Sequence, residues 1–177
     1  MAWKILQHYL LTLENEKKFE YLSQTDQLTG LYNRHKLHEV FTSEINRSNR
    51  FEKIFGIILL DIDLFKNVND TYGHNIGDLV LKEISNILKD NIRVSDTLGR
   101  WGGEEFLIVI PQIDIEGAKI LAEKLRKEIE NHNFSTAGKL TASFGLAYYR
   151  KGDDENSIVK RADEALYKAK ELGRNTI

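Results

Sequence analysis

The stretch IFGIILLDID, from Ile54 to Asp63, decides how the chain can fold. It is a continuous apolar run of β-forming residues, and it therefore predicts a strand that is buried on both faces. The run ends in two acids, Asp61 and Asp63. Because successive side chains of a strand point to opposite faces, we expect these two carboxylates to share one face and Ile62 to point to the other.

Two readings of the paired acids follow from the residues. They either cap the turn after the strand or form a pocket of hard oxygen ligands that suits Mg²⁺. The next stretch, LFKNVNDTYGHNIGD from Leu64 to Asp78, is interpreted as a short loop followed by the first turns of a helix. Its polar side chains are Lys66, Asn69, Asp70, His74 and Asp78. An amide beside a carboxylate offers the donors and acceptors that read a guanine edge, although one polar loop alone is weak support.

A second group of acids lies in LGRWGGEEFLIVI, from Leu98 to Ile110, which predicts a tight hairpin. Gly102 and Gly103 allow positive φ and let the backbone approach a ligand closely. If the chain is extended, Glu104 and Glu105 cannot both face inward, so one glutamate is expected to meet the site. The alternative is a glycine turn with two exposed acids. A turn beside the end of the buried strand would instead complete an Asp-plus-Glu metal site for phosphoryl or nucleotidyl transfer.

The remaining chain alternates helical and strand patterns. Apolar residues at helical spacing predict helices over 36–51, 73–92, 115–132 and 155–173, and Gly173 is the expected C-cap of the last. The stretch LTASFGLAYY at 140–149 predicts a further strand. Because helices connect most strands and one pair forms a hairpin, we expect an α+β fold with a mixed sheet.

Composition narrows the function classes. The 177 residues suffice for one domain with an appendage. With 25 basic and 27 acidic residues the net charge is -2, which disfavours a DNA- or RNA-binding protein. There is no cysteine, so a disulfide framework and thiolate metal sites are excluded. No apolar run approaches the roughly 20 residues that span a bilayer, and no signal peptide is recognisable, so we expect a cytoplasmic protein.

Residues 1–22 are interpreted as a helical lead-in to a domain over 23–177. Leu6, Tyr9, Leu10 and Leu13 follow helical spacing, and the segment has no Pro or Gly. The helix either packs on its own domain or pairs two chains.

Five motifs occur in order between Asp26 and Asn175. They are DQLTGLYNR, DIDLFKNVNDTYGHNIGD, RWGGEEF, SFGLA and ADEALYKAKELGRN. Together they resemble the GGDEF-domain diguanylate cyclases, and joint occurrence in one register is far more specific than any single motif. The resemblance implies a palm-like α+β fold of the nucleotide cyclase or ferredoxin-like kind. It also implies condensation of two GTP molecules into cyclic di-GMP, with two Mg²⁺ ions, or Mn²⁺, in each active site.

The resemblance also implies roles for individual residues. The metal ligands are Asp61, Glu104 and the backbone carbonyl of Ile62. Glu104 assists removal of the 3′-hydroxyl proton, and Glu105 is its partner in the signature. The implied substrate-binding residues, with Lys66 also counted as catalytic, are Phe65, Lys66, Asn69, His74, Asp78, Gly102, Gly103, Lys170 and Arg174. Within this set, Asn69 and Asp78 read guanine. The spacing of Lys170 and Arg174 independently predicts that both cations share one face of the last helix.

Regulation and assembly are also implied. RVSD, from Arg93 to Asp96, resembles the family's inhibitory product site. The alternative is an Arg near a helix C-terminus followed by a loop Asp, but the spacing to Gly102 agrees with the family's pattern and favours the inhibitory site. One domain presents half of a symmetric product, so a homodimer is expected. Family members usually follow an input domain, so either the chain is a fragment or the lead-in helix is its whole regulatory part.

Three functions therefore remain in view. The first is an active cyclase, the second is a silent module that binds GTP or cyclic di-GMP, and the third is a dimerisation domain. Clustered acids favour the first, because carboxylates that repel one another have no structural use without a metal.

Overall fold

The computed structural model describes residues 3, 6–10, 12 and 22–177. Its elements, in chain order, are α1 (Arg34–Phe51), β1 (Phe55–Ile62), α2 (Phe65–Tyr72), α3 (His74–Asn91), β2 (Thr97–Gly102), β3 (Glu105–Pro111), α4 (Ile115–Asn131), β4 (Ala142–Tyr148) and α5 (Glu155–Glu171). The described residues from 3 to 12 are helical. Much of the predicted segment 1–22, including Leu13, lies outside the described residues, and the domain boundary stays a prediction.

The loop predicted after β1 is a helix instead. Phe65 and Val68 of α2 are both buried, so the short segment packs one apolar edge on the core while its polar residues face outward. Gly73, with φ of +84°, ends α2 and begins α3. The sequence did not predict this helix, because only two of its eight residues are buried and apolar, too few to show helical spacing.

The four strands form one sheet in the order β2-β3-β1-β4, and every strand pair is antiparallel. The α+β class is confirmed, but the expectation of a mixed sheet is wrong. The helices connect β1 to β2 and β3 to β4, and the two strands of each of these pairs run in the same direction. They are not neighbours, however, because β3 lies between β1 and β2, and β1 lies between β3 and β4. This is the split βαβ arrangement of ferredoxin-like folds.

The side chains of β1 alternate between two hydrophobic cores, and all eight residues of the strand are buried. Ile58 and Leu60 pack with residues of α3 and α4. Ile57 and Leu59 point to the other face, against α1 and α5. Each such aliphatic side chain contributes about 1.5–3 kcal/mol when fully buried. Burial on both faces explains the continuous apolar run in the sequence.

Helix α5 lies very close to β4 at Gly145. A Cβ at this position would lie 2.0 Å from the backbone oxygen of Ala162. Only glycine permits this approach, which brings the end of α5 over the carboxyl end of β1. Within the described part of the chain, none of the helices combines the length and the apolar character needed to cross a lipid bilayer.

Candidate active site

Two acids meet where β1 and β3 lie side by side. Asp61 of β1 is directly opposite Glu105 of β3, and opposite residues of an antiparallel pair project from the same face with their Cβ atoms about 4.5–5.5 Å apart. Asp61 is only 9% exposed. Both side chains share the face of Leu59, which α5 covers. The sheet register therefore creates a carboxylate pair beneath the end of α5.

Glu104 lies in the hairpin turn rather than in a strand. Gly103 has a φ of +50°, and the pairing register shifts between Arg100 and Gly102, so the chain is not extended through the turn. The expectation that only one glutamate faces the site had an extended chain as its condition, which is therefore not met: Glu105 is aligned with Asp61, and the charge of Glu104 also acts on both carboxylates.

The two glycines of the turn leave open space in front of the backbone. A Cβ at Gly102 or at Gly103 would meet no atom within 4 Å. Of the two, only Gly103 has a positive φ. The turn thus leaves room for a ligand to approach its backbone, and the predicted positive φ is found at Gly103 but not at Gly102.

Burial and mutual repulsion raise the pKa of two acids in this cluster, Asp61 and Glu105. Burial raises the pKa of Asp61; the hydrogen bond and charge of Lys170 oppose the rise, while Glu104 and Asp63 add to it. Burial also raises the pKa of Glu105, and the negative charge of Asp61 is the next cause. The cluster therefore holds more negative charge than its neighbouring ammonium group balances, which favours binding of an additional cation.

Lys170 forms an ion pair with the site. Its Nζ lies 3.0 Å from Oδ2 of Asp61, and the two side chains are 34% and 12% exposed. Lys170 belongs to the last turn of α5, which the close approach at Gly145 brings over the end of β1. The residue implied as a phosphate ligand thus neutralises a carboxylate in this structure.

Arg174 does not share a helix face with Lys170, and that prediction is wrong. Helix α5 ends at Glu171, and Arg174 has a φ of +67° beyond its end. The N–H of Arg174 donates to the Ala169 carbonyl at 3.1 Å, and the N–H of Gly173 donates to the Lys170 carbonyl at 3.4 Å. These bonds form a Schellman motif with Gly173 just beyond the C-cap residue Leu172. Helical spacing therefore stops applying before Arg174.

Asp63 does not pair with Asp61 to form an open pocket. Its carboxylate accepts hydrogen bonds from the hydroxyls of Thr141 and Ser143, each at 2.7 Å, and from the Asn175 N–H at 3.0 Å. Asp63 is 5% exposed. Of the two interpretations of the strand-end acids, Asp63 therefore fits the structural one: its carboxylate oxygens already accept three hydrogen bonds from the protein.

The donor chemistry at Asp61 fits a hard divalent cation. Asp61, Glu104 and the carbonyl of Ile62 offer oxygen atoms alone, which Mg²⁺ prefers. No group of three or more His, Cys, Asp or Glu side chains among residues 3, 6–10, 12 and 22–177 is arranged to hold a metal by itself. Mg²⁺ commonly keeps waters and uses substrate phosphates to complete its octahedron, so a partial protein site is consistent with this ion.

Helices α2 and α3 bring Asn69 close to Asp78. A Cβ at Gly77, the residue before Asp78, would lie 2.0 Å from Oδ1 of Asn69 and 3.2 Å from the Phe65 ring. The carboxamide of Asn69 therefore rests against the start of α3. Phe65 is 7% exposed and belongs to the core, so the ring lies beneath Asn69 and Gly77 rather than in an open groove.

The other implied substrate ligands on these helices are exposed. They are Lys66, His74 and Asp78. Lys66 follows Phe65 at the start of α2, whereas His74 and Asp78 lie in the first turns of α3. The structure thus brings Asn69, His74 and Asp78 to one helical hairpin next to the end of β1.

Arg93 and Asp96 form a turn between α3 and β2. The Arg93 N–H donates to Oδ2 of Asp96 at 3.0 Å, and the Asp96 N–H donates to the Arg93 carbonyl at 3.0 Å. The turn borders a cavity of about 630 Å³, which is also lined by Lys89 and Tyr32. The side chain of Arg93 is exposed and accessible beside this cavity.

The sequence reasoning missed a connection behind the hairpin. Nε and Nη2 of Arg100 donate to the Gly103 carbonyl at 2.9 and 2.7 Å. Its Nη1 lies 3.2 Å from both carboxylate oxygens of Asp26, which also accepts bonds from the N–H and hydroxyl of Thr29. Arg100 thereby fixes the turn that precedes Glu104. Both residues stood within quoted motifs, but their pairing depends on tertiary structure.

Comparison with known proteins places these features in a family. Residues 23–176 match the family model described as "Diguanylate cyclase, GGDEF domain". Diguanylate cyclase A of Treponema denticola is 37% identical over 174 residues, which cover 94% of this chain and 47% of that protein. Diguanylate cyclase DosC of Escherichia coli is 38% identical over 156 residues, which cover 86% of this chain and 34% of that protein. The chain thus spans less than half the length of these relatives.

Solved structures show the same architecture. The coiled coil and GGDEF domain of DgcB from Caulobacter crescentus, in complex with c-di-GMP, superimposes with a TM-score of 0.94 at 27% identity, covering 99% of this chain and 95% of that one. The active GGEEF domain of a diguanylate cyclase from Vibrio cholerae has a TM-score of 0.77 at 38% identity, covering 81% of this chain and 94% of that one.

Proposed function

Because the chain belongs to the diguanylate cyclase GGDEF domain family, we propose that it condenses two GTP molecules into cyclic di-GMP and releases pyrophosphate. The observation that carries this proposal is the meeting of Asp61, Glu104 and Glu105 at one end of the sheet, beside the ammonium of Lys170. Carboxylates and an ammonium so arranged suit the transfer of a nucleotidyl group, in which positioning and charge stabilisation provide most of the catalysis.

Two Mg²⁺ ions, or Mn²⁺, would be held by Asp61, Glu104 and the Ile62 carbonyl together with phosphate oxygens. When bound, the metal supplies charge that activates the attacking hydroxyl and neutralises the pyrophosphate. The raised pKa of Asp61 and of Glu105 supports this assignment, since an added cation relieves the repulsion that causes part of each rise.

The substrate is bound at two ends. Asn69 and Asp78 on the α2–α3 hairpin read the guanine edge, because an amide and a carboxylate match its acceptors and donors, and His74 lines this end. Lys66, Lys170 and Arg174 bind the triphosphate. Lys170 would change partner when substrate binds: its ammonium, paired with Asp61 in this structure, would move to a phosphate oxygen if a bound cation balanced that carboxylate.

The reaction is a substitution at phosphorus. The 3′-hydroxyl oxygen of one GTP forms a bond to the α-phosphorus of the other, the bond from that phosphorus to pyrophosphate breaks, and the hydroxyl proton passes to Glu104. A second transfer with the roles of the two nucleotides exchanged closes the ring. The carboxylate of Glu105, opposite Asp61, adds negative charge to the site and so favours a bound cation. Arg100 fixes the turn that carries Glu104 through its bonds to the Gly103 carbonyl.

Two domains must face each other for this chemistry, so we propose a homodimer. Trp3, Leu6 and Leu10 are 68%, 47% and 49% exposed on the described helical residues, and apolar side chains at this spacing suit pairing with a second copy. The similarity to a structure that contains a coiled coil and a GGDEF domain supports this role. The GTP requirement is consistent with a cytoplasmic location.

Product inhibition is proposed at the cavity beside Arg93 and Asp96. The exposed guanidinium can form paired hydrogen bonds to guanine or phosphate, and a carboxylate accepts from the guanine N1 and N2 donors. Asp96 also accepts the backbone N–H of Arg93, which fixes the turn. The 630 Å³ volume lies within the range of small-molecule sites.

The direct test is incubation of the protein with GTP and Mg²⁺ at high protein concentration, with and without dimerisation forced by a fused coiled coil. We expect pyrophosphate and cyclic di-GMP by chromatography. Glu104→Gln should abolish both products while keeping the melting temperature, whereas Glu128→Gln on the exposed side of α4 should have no effect.

Absence of product in the forced dimer would refute the enzyme proposal. If the same protein then bound GTP or cyclic di-GMP by calorimetry, it would be a silent binding module. If it bound neither nucleotide, a dimerisation domain would be the remaining function.

A further inference from the structure

The turn after α5 contains three consecutive residues with positive φ. The angles are +114° at Gly173, +67° at Arg174 and +47° at Asn175. Glycine adopts this region freely and asparagine with less difficulty than most residues, but arginine does so at a cost. Such backbone strain persists only where surrounding contacts determine the conformation. The contacts of this turn therefore indicate what maintains Arg174 in its unusual geometry.

Asn175 makes the contacts that fix the turn. Its N–H donates to Oδ2 of Asp63 at 3.0 Å, and its Nδ2 donates to Oε1 of Glu130 at 2.7 Å. Its Oδ1 accepts a bond from Nη1 of Arg126 at 2.8 Å. The side chain thus uses both ends of its amide to connect the turn to α4, and the backbone N–H connects the turn to the end of β1.

Arg126 is a rigid anchor for this amide. Its side chain is 13% exposed. Nε and Nη2 each donate to Glu123 at 2.8 Å, and Nη1 donates to Glu130 at 2.9 Å. A planar guanidinium held by two carboxylates has little freedom to move. On the other side of Asn175, the Thr176 carbonyl accepts the Phe144 N–H of β4 at 2.9 Å.

We infer that Asn175 is a positioning residue, which holds Arg174 in its left-handed conformation by binding Asp63, Glu130 and Arg126 and so sets where the Arg174 guanidinium meets substrate phosphates. The inference rests on the proposed function, in which Arg174 binds phosphate. The bond from the Asn175 N–H to Asp63 also connects the phosphate-binding turn to β1, because Asp63 lies two positions after Asp61, the proposed metal ligand.

The test measures binding without turnover. The probe is 3′-deoxy-GTP with Mg²⁺, which lacks the attacking hydroxyl, and guanosine serves as a probe without phosphates. Asn175→Ala should bind 3′-deoxy-GTP about tenfold more weakly, the scale expected for loss of one charge-assisted contact, with unchanged guanosine affinity. Asn133→Ala, at an exposed asparagine, is the matched control and should bind as the wild type does.

A double-variant comparison separates positioning from general stabilisation. In an Arg174→Ala background, Asn175→Ala should cause no further loss, because the residue through which it acts is gone. Asn175→Gly, which keeps the left-handed backbone accessible, provides a second variant that lacks the side chain if the alanine variant unfolds.

Four results would overturn the inference. Wild-type affinity in both Asn175 variants refutes it alone, as does an equal loss of affinity with and without Arg174. A parallel loss of guanosine binding would assign Asn175 a purely structural role. Failure of the wild type to bind 3′-deoxy-GTP would refute the proposed function itself, and the inference with it.

Discussion

Replacing Gly77 by alanine should damage guanine recognition without damaging the fold. The added Cβ would lie 2.0 Å from Oδ1 of Asn69, far inside van der Waals contact, and 3.2 Å from the Phe65 ring. The ring is packed in the core, so the Asn69 carboxamide is the group that must rotate away. Backbone strain does not arise, because Gly77 lies in α3 with an ordinary helical conformation.

Gly77→Ala should leave the stability of the fold nearly unchanged but weaken the binding of GTP. Alanine is favoured over glycine within a helix by about 0.5–1 kcal/mol, which offsets the cost of moving one side chain. The hydrogen bonds of Asn69 to guanine are worth about 0.5–1.5 kcal/mol each. Loss of one or two of them predicts roughly tenfold weaker binding of GTP, with little change in binding of ATP.

The assay compares 3′-deoxy-GTP with 3′-deoxy-ATP by calorimetry, alongside a thermal melt. Gly117→Ala is the matched control: its Cβ would lie 2.9 Å from Oδ1 of Asp114, a helix cap remote from the nucleotide, so stability alone should change. An unaltered preference for guanine in folded Gly77→Ala would show that the position of Asn69 does not determine base selection.

Three further predictions concern the acids, the hairpin and the inhibitory turn. The raised pKa of Glu105, like that of Asp61, means that its stabilising contribution is complete only below the unfolded pKa and is lost as pH rises through the folded one. Glu105→Gln should therefore raise Tm at pH 7, by about 2–4 °C for each kcal/mol of unfavourable burial and repulsion that it removes, with the gain vanishing near pH 4 in melts across pH; a pH-independent gain would contradict this. Arg100→Lys should lower the unfolding free energy in urea by about 1–3 kcal/mol and reduce activity at least tenfold, because the paired bonds to Asp26 are lost; full activity would exclude its role in fixing the turn. Arg93→Ala should raise the cyclic di-GMP concentration needed for half-inhibition, and unchanged inhibition would remove the proposed product site.

Local patterns predicted most elements of the fold, and pairing between elements explains where they failed. The apolar run of β1 identified the central strand, and helical spacing identified α3, α4 and α5 closely. Sheet order cannot be read from such patterns, because it depends on which strand enters between two others. The predicted mixed sheet was wrong for that reason, since β3 lies between the parallel-running β1 and β2.

The candidate site shows the same division. Asp61 and the hairpin acids were predicted from the strand pattern and the glycine motif, but the alignment of Glu105 with Asp61 required the register of β3. Helical spacing failed at Arg174 because α5 ends before it. The bonds between Arg100 and Asp26 and between Arg126 and Asn175 join distant parts of the chain. Such pairs cannot be predicted from local sequence patterns.

The place of β1 in the middle of the sheet has a kinetic consequence. Asp61 meets Glu105 only after the chain has passed through two helices and an edge strand, and contacts of such sequence separation form late and slow folding. We therefore expect nucleotide and metal to find no binding site in the early folding chain. We expect saturating GTP analogue with Mg²⁺ to leave the refolding rate constant unchanged and to slow unfolding in proportion to the stability that binding adds.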